Sequence, residues 1–154
     1  MESFNARSFE ETTGVPFEVK QINFAKSQKG VLRGLHYQLN PFAQAKMVGV
    51  AFGTVLDVVV DLRRQSKTFG KKYEILLESP DTCFFIPAGF AHGYEVLEDN
   101  TLFYYAVDSF YSPSHERGIH HADPELDIQW KNDNNLISGK DSSLPLFKEA
   151  EFNF

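Results

Sequence analysis

The chain has a single cysteine, Cys83, in 154 residues. No intrachain disulfide can form, which is consistent with a reducing cytoplasm. No apolar run approaches the about 20 residues needed to span a bilayer. The opening Met1-Glu2-Ser3-Phe4-Asn5 has neither the basic nor the apolar region of a signal peptide. The expectation is a soluble cytoplasmic protein with no membrane partner. Positive charge is also short: 15 Lys and Arg stand against 21 Asp and Glu, a formal net charge of -6. That balance speaks against nucleic-acid binding, which uses basic patches. It leaves room for a small anionic ligand, because a few arginines in a cleft set the local potential. Low-complexity segments, long Gly/Ser linkers and internal repeats are missing, and the length fits one domain, 1–154, around one core.

What is present is a short helical signal followed by β texture. Residues 3–13 predict a helix, with Ser3 as N-cap, Phe4 and Phe9 sharing an apolar side and Gly14 as the stop; Pro16 ends it. From Phe17 to about Tyr111 short β-type runs follow: 17–24, 31–38, 46–52, the β-branched 55–62, 73–77, 83–86, 92–97 and 101–107. Asn40-Pro41, Gly53, Gly70, Ser79-Pro80, Pro87-Ala88-Gly89 and Asp99-Asn100 separate them as turns. Many short strands at this spacing predict an all-β sandwich or barrel. After Pro113 the chain turns polar and irregular, and this tail is expected to wrap the barrel.

The chemistry concentrates in Gly30-Val31-Leu32-Arg33-Gly34-Leu35-His36-Tyr37-Gln38, with Lys46 ten residues beyond His36. An imidazole suits general-base work near neutral pH, although a histidine in a strand is more often structural. Arg33 and Lys46 sit among apolar β residues, where an unpaired charge is costly, and an arginine fork there calls for a carboxylate or phosphate. Surface solvation is the plainer alternative for both. Arg33 and His36 are three apart and would face opposite sides of a regular strand, so Gly34 marks an expected irregularity. Of Tyr104 and Tyr105 one should point inward, and periodicity alone does not choose. Asp141, in Ile137-Ser138-Gly139-Lys140-Asp141, reads as a solvated carboxylate unless it reaches back to orient His36. His92 follows a tight turn into a strand. His120 and His121 read as surface residues, and Cys83, among Phe84, Phe85 and Ile86, as a small core residue. Metal-binding cupins commonly carry two histidines one residue apart; here His36 is followed by Tyr37-Gln38, so no metal site is expected.

The Gly30–Gln38 stretch is one of several segments in which the chain resembles the dTDP-4-dehydrorhamnose 3,5-epimerase family. The others are Glu2-Ser3-Phe4-Asn5, Gln21-Ile22-Asn23, Asp57 to Arg63, Ser66-Lys67-Thr68-Phe69-Gly70, Ile86 to Gly93, Tyr111 to Gly118 and Ser138-Gly139-Lys140-Asp141. They run in order from Glu2 to about Leu146. The resemblance implies an all-β cupin-type jelly roll, a homodimer, and a dTDP-linked 4-keto-6-deoxyhexose as substrate, epimerised at C3, C5 or both without a cofactor. It also implies roles: His36 as base, Asp141 as its orienting carboxylate, Tyr105 as the reprotonating acid and Lys46 as the cation at the enolate oxygen. Arg33 resembles a diphosphate ligand. Gln21, Asn23, Glu2 and Tyr111 resemble nucleotide contacts, and His92 a residue lining the sugar site.

Three departures accompany the resemblance. The family normally begins with further strands carrying an Asp-x-Arg-Gly-Phe-Phe-type motif, whose arginine meets the diphosphate; this sequence starts at Met1-Glu2, which implies a missing arginine and an exposed edge strand. Ala106 stands where many members have lysine, and Ile119-His120-His121-Ala122-Asp123-Pro124 replaces a Leu-Trp-Asn-Asp-type run. The alternatives are a single-site 3- or 5-epimerase, a nucleotide-sugar 3,4-ketoisomerase, and a non-catalytic sugar-nucleotide-binding cupin. A metal-dependent cupin oxygenase would need a ligand set this sequence does not show.

Overall fold

The computed structural model describes Glu2 and residues 4–154. In chain order the elements are α1 (Ala6–Thr13), β1 (Gln21–Ser27), β2 (Val31–Gln38), β3 (Lys46–Phe52), β4 (Val55–Asp61), β5 (Lys72–Leu77), β6 (Cys83–Ile86), β7 (Phe90–Val96), β8 (Thr101–Val107), β9 (Glu116–Gly118), β10 (Leu136–Ile137) and a 3-10 turn, Asp141–Ser143. Two sheets form. One has the order β1-β8-β3-β6; the other runs β10-β2-β7-β4-β5, with β9 also pairing β2. All pairings are antiparallel except β10 with β2. This is the all-β, cupin-type architecture with one short N-terminal helix.

Three apolar clusters hold it together. Val48, Val50, Val59, Leu77, Val96 and Phe103 meet between the sheets. Leu56, Val58 and Val60, with Leu35 and Tyr37, bury the outer face of the larger sheet against Ile119, Leu126 and Phe147 of the tail. Phe17, Met47 and Ala106 cover the outer face of the smaller sheet, packed by Phe4, Phe9 and Phe85. Strand β4 is buried along its whole length because both its faces are covered, which is why its sequence is a β-branched run without alternation.

Several expectations are corrected. The helix starts at Ala6, where Asn5 is the N-cap and its side chain accepts from Ser8 N; the expected cap, Ser3, lies outside the described residues. Gly14, with φ of 70°, is the C-cap. The strand expected at 17–24 lies at Gln21–Ser27, because its partner β8 ends at Val107, opposite Gln21. Phe17 instead buries edge-on against Phe85. The tail contains β9 and β10, two short strands that take up the free edge of β2. Cys83 is half-buried and packs against the apolar cluster on the outer face of the smaller sheet, its Sγ 3.1 Å from Tyr104 Oη. His120 and His121 are half-buried and their rings pack 4.3 Å apart, so neither is a plain surface residue.

Candidate active site

The irregularity anticipated at Gly34 determines which way β2 aims its side chains. Arg33 pairs with Tyr94 and His36 with His92, so two β2 residues are set against Gly93 alone. This bulge turns both Arg33 and His36 towards the space between the sheets. Gly34 has φ of 105°, and a Cβ there would stand 2.6 Å from the Gly93 Cα and the His92 carbonyl. Only glycine allows that approach.

The space is a cavity of about 430 Å³. His36, Arg33 and His92 reach it from the larger sheet; Lys46, Tyr105, Gln21 and Asn23 reach it from the smaller one. Tyr105 lines the cavity, and Tyr104 points outward against Phe24 and Cys83. The alternation along β1 sends Gln21 and Asn23 inward, with Gln21 Nε2 donating to Asn23 Oδ1 at 2.8 Å, and leaves Ile22 and Phe24 exposed. Tyr111 lies at the rim. Glu2 does not line the cavity; its carboxylate accepts from Asn5 Nδ2 at the helix start.

Asp141 is not the solvated carboxylate of a polar tail. It is 2% exposed, and its Oδ1 lies 2.7 Å from His36 Nε2. The parallel pairing of β10 with Val31 and Leu32 carries the tail beside β2, and the 3-10 turn then brings Asp141 under the bulge. The Gly34 N–H points at its other oxygen, and Ser138 Oγ accepts from its backbone N–H. Burial alone would raise this carboxyl, but the hydrogen bond and charge of His36 outweigh it and hold the group below its ordinary range. A carboxylate there keeps the N–H of a neutral imidazole turned towards itself and the other ring nitrogen basic.

A second pair lies beside the first. His92 Nε2 is 2.8 Å from Asp57 Oδ2, and Asp57 is fully buried with its Oδ1 lacking a partner. Burial pushes the His92 imidazole down, against the pull of Asp57. Burial likewise lowers Lys46 to about 8, while Asp57 and Glu116 favour its charged form. The Tyr105 phenol is pushed up by burial, so it keeps its proton at neutral pH. Arg33, by contrast, stays exposed at the rim, so its charge is not desolvated as the apolar neighbours suggested. Asp57 escaped notice in the sequence, although a carboxylate inside Val55-Leu56-Asp57-Val58-Val59-Val60 is itself a signal, since such a run is buried. Glu116 and Tyr94 also line the cavity and carry no such signal.

An imidazole backed by a carboxylate on one sheet faces a protonated phenol and an ammonium on the other. Among the described residues, no group of three or more His, Cys, Asp or Glu is arranged to hold a metal, and no helix is long and apolar enough to cross a membrane. Fold and site define a cupin-type protein whose cavity is built for proton transfer. The family described as dTDP-4-dehydrorhamnose 3,5-epimerase matches residues 1–149. The chain is 47% identical over 153 residues to the dTDP-4-dehydrorhamnose 3,5-epimerase of Shigella flexneri, covering 99% of this chain and 84% of that one. It superimposes on the Elizabethkingia anophelis enzyme of that name with a TM-score of 0.92 at 43% identity, covering 96% and 82% of the two chains. For the Legionella pneumophila epimerase in complex with dTDP-4-keto-L-rhamnose the TM-score is 0.91 at 43% identity, covering 96% and 79%. The chain belongs to the dTDP-4-dehydrorhamnose 3,5-epimerase family.

Proposed function

We propose that the protein epimerises C3 and C5 of a dTDP-linked 4-keto-6-deoxyhexose by removing and returning protons through an enolate. The C4 ketone acidifies the neighbouring C–H bonds. His36 takes the proton on the ring nitrogen that Asp141 leaves free. The C–H electron pair moves into the ring bond to C4, and the carbonyl electrons move onto oxygen, where Lys46 donates a hydrogen bond. Tyr105 then protonates the carbon from the other side. His36 and Tyr105 recover their original states by exchange with water, so the balance is one proton lost and one gained, without a redox cofactor. Arg33 binds the diphosphate at the rim; Gln21, Asn23 and Tyr111 hold the nucleotide, and His92 borders the sugar.

The observation that carries this reading is that base and acid stand on opposite sheets. His36, 2.7 Å from Asp141, is on β2, and Tyr105 is on β8, both lining one cavity. A ring bound between them meets its base on one face and its acid on the other, which is what inversion needs. A homodimer and a cytoplasmic location belong to the same proposal. The exposed Ile22 and Phe24 on the edge strand β1 favour the first, and the lone cysteine favours the second.

Incubation with dTDP-4-keto-6-deoxyglucose in D₂O, followed by NMR, tests it. Deuterium should enter at C3 and C5. His36→Ala should abolish exchange at both carbons; substantial residual exchange would remove His36 as the base. Tyr105→Phe should retain abstraction but impair inversion, and unchanged epimerisation would remove Tyr105 from the scheme. Deuterium at one carbon alone would make the protein a single-site epimerase.

A further inference from the structure

We infer that Gln38 is a positioning residue for nucleotide binding: its buried side-chain amide fixes the backbone on both sides of Tyr111 and so aims that phenol at the rim of the cavity. This deepens the proposed function, in which Tyr111 holds the nucleotide.

The connection from β8 to β9, residues 108–115, contains neither helix nor strand. Its course is set by contacts with the end of β2 and the connection from β2 to β3. Asp108 Oδ1 accepts from the Ala45 N–H at 2.8 Å, and the Ser109 carbonyl accepts from Gln44 Nε2 at 2.6 Å. Gln38 takes over one residue later. Its Nε2 donates to the carbonyls of Phe42 at 2.7 Å and Phe110 at 3.2 Å, and its Oε1 accepts from the Ser112 N–H at 2.7 Å. One amide thus holds the residue before Tyr111 and the residue after it. Among the described residues, no hydrogen bond is made to the backbone of Tyr111 itself.

Gln38 is only 4% exposed, so water does not replace a bond lost there. The donor and acceptor roles suit an amide alone. A carboxylate would face two carbonyls, and an apolar side chain would leave both carbonyls and the N–H without this partner. The other end of Tyr111 is tied to the same strands. Gln38 stands opposite Glu116 in the register of β2 with β9, and Glu116 Oε2 accepts from Tyr111 Oη at 2.6 Å. Backbone and hydroxyl of Tyr111 are therefore both referenced to β2, the strand that carries His36. Tyr111 is exposed, and an exposed ring on an irregular segment otherwise samples several directions. Setting its direction beforehand removes that ordering cost from binding.

Calorimetric titration of the full chain with dTDP tests this, beside the rate of deuterium exchange into saturating dTDP-4-keto-6-deoxyglucose. Gln38→Met keeps the length of the side chain without the amide. It should weaken dTDP binding by about five- to tenfold, as should Tyr111→Ala, while exchange at saturation stays within about twofold of wild type. The double variant Gln38→Met/Tyr111→Ala should bind dTDP no more weakly than Tyr111→Ala alone, because the amide acts through that ring. If Gln38→Met does not fold, Gln38→Asn, which keeps the amide but withdraws it by one methylene, should show the same coupling. Unchanged dTDP affinity in a folded Gln38 variant, additive losses in the double variant, or slower exchange at saturation with affinity kept would each overturn the assignment. Wild-type dTDP affinity in Tyr111→Ala would instead overturn the nucleotide role of Tyr111 beneath it.

Discussion

Asp57 carries more of the site than its neighbours in sequence suggest. It is fully buried, bonded to His92 through one oxygen and unpaired at the other, and its charge supports the ammonium of Lys46. The direction of the pH dependence follows. Burial disfavours the charged form of Lys46 and brings its pKa down to about 8. The proposed oxyanion role needs the proton, so activity is present below that pH and lost as pH rises through it. Asp57→Asn keeps the side-chain shape but removes the charge that opposes desolvation. The high-pH limb of kcat/KM should then move down by on the order of one pH unit, with a lower kcat at neutral pH. A limb that does not move in Asp57→Asn would separate Asp57 from Lys46. Lys46→Arg should carry the limb out of the measurable range, because a guanidinium does not titrate there.

At the scale of elements, buried carboxylates fasten segments that have little regular structure of their own. Asp61 accepts from the Arg63 guanidinium, Ser66 Oγ and Thr68 Oγ1 and so closes the connection from β4 to β5. Burial opposes its ionisation, yet those hydrogen bonds hold it far below the ordinary carboxylate range. Asp123 accepts from the N–H groups of Glu125, Leu126 and Phe147. Glu95, on β7 and fully buried, accepts from the N–H groups of Lys131 and Asn132 and from the Asn132 amide. It pins the tail just before β10, and β10 leads into the turn that delivers Asp141. Glu95→Gln puts an amide donor against these N–H groups, so it should lower stability by about 2–3 kcal/mol. For a chain of this size that is a fall in Tm of roughly 5–10 °C. Deuterium exchange at C3 and C5 should fall as well, because His36 loses its oriented partner; a lower Tm with undiminished exchange would show that Asp141 is held without Glu95.

At the scale of the whole molecule, both sheets and the tail line the active-site cavity, so a ligand there bridges elements far apart in sequence and should oppose unfolding. Binding to the native state alone at 100 times Kd adds about 2.7 kcal/mol, which for this length is a rise in Tm of about 5–10 °C. Thermal melts should show dTDP raising Tm more than dTMP, and dTMP more than thymidine. Arg33→Ala should close the gap between the first two; a gap that persists would move the diphosphate site away from Arg33. Much of this was legible in the sequence by itself. Period-2 runs between turn residues gave an all-β fold, because strand alternation is written locally. The Gly30–Gln38 segment marked His36 and an irregularity at Gly34, and ordered motifs pointed to the epimerase family. Other features were decided only by tertiary structure. Sheet pairing separated Tyr105 from Tyr104, and the edge of β2 recruited β9 and β10 out of a stretch with no period of its own. The contact between His36 and Asp141 joins residues 105 positions apart. Asp57, Asp141 and Glu116 acquire their properties from burial and from partners that the chain brings together on folding, and neither quantity is encoded in local sequence.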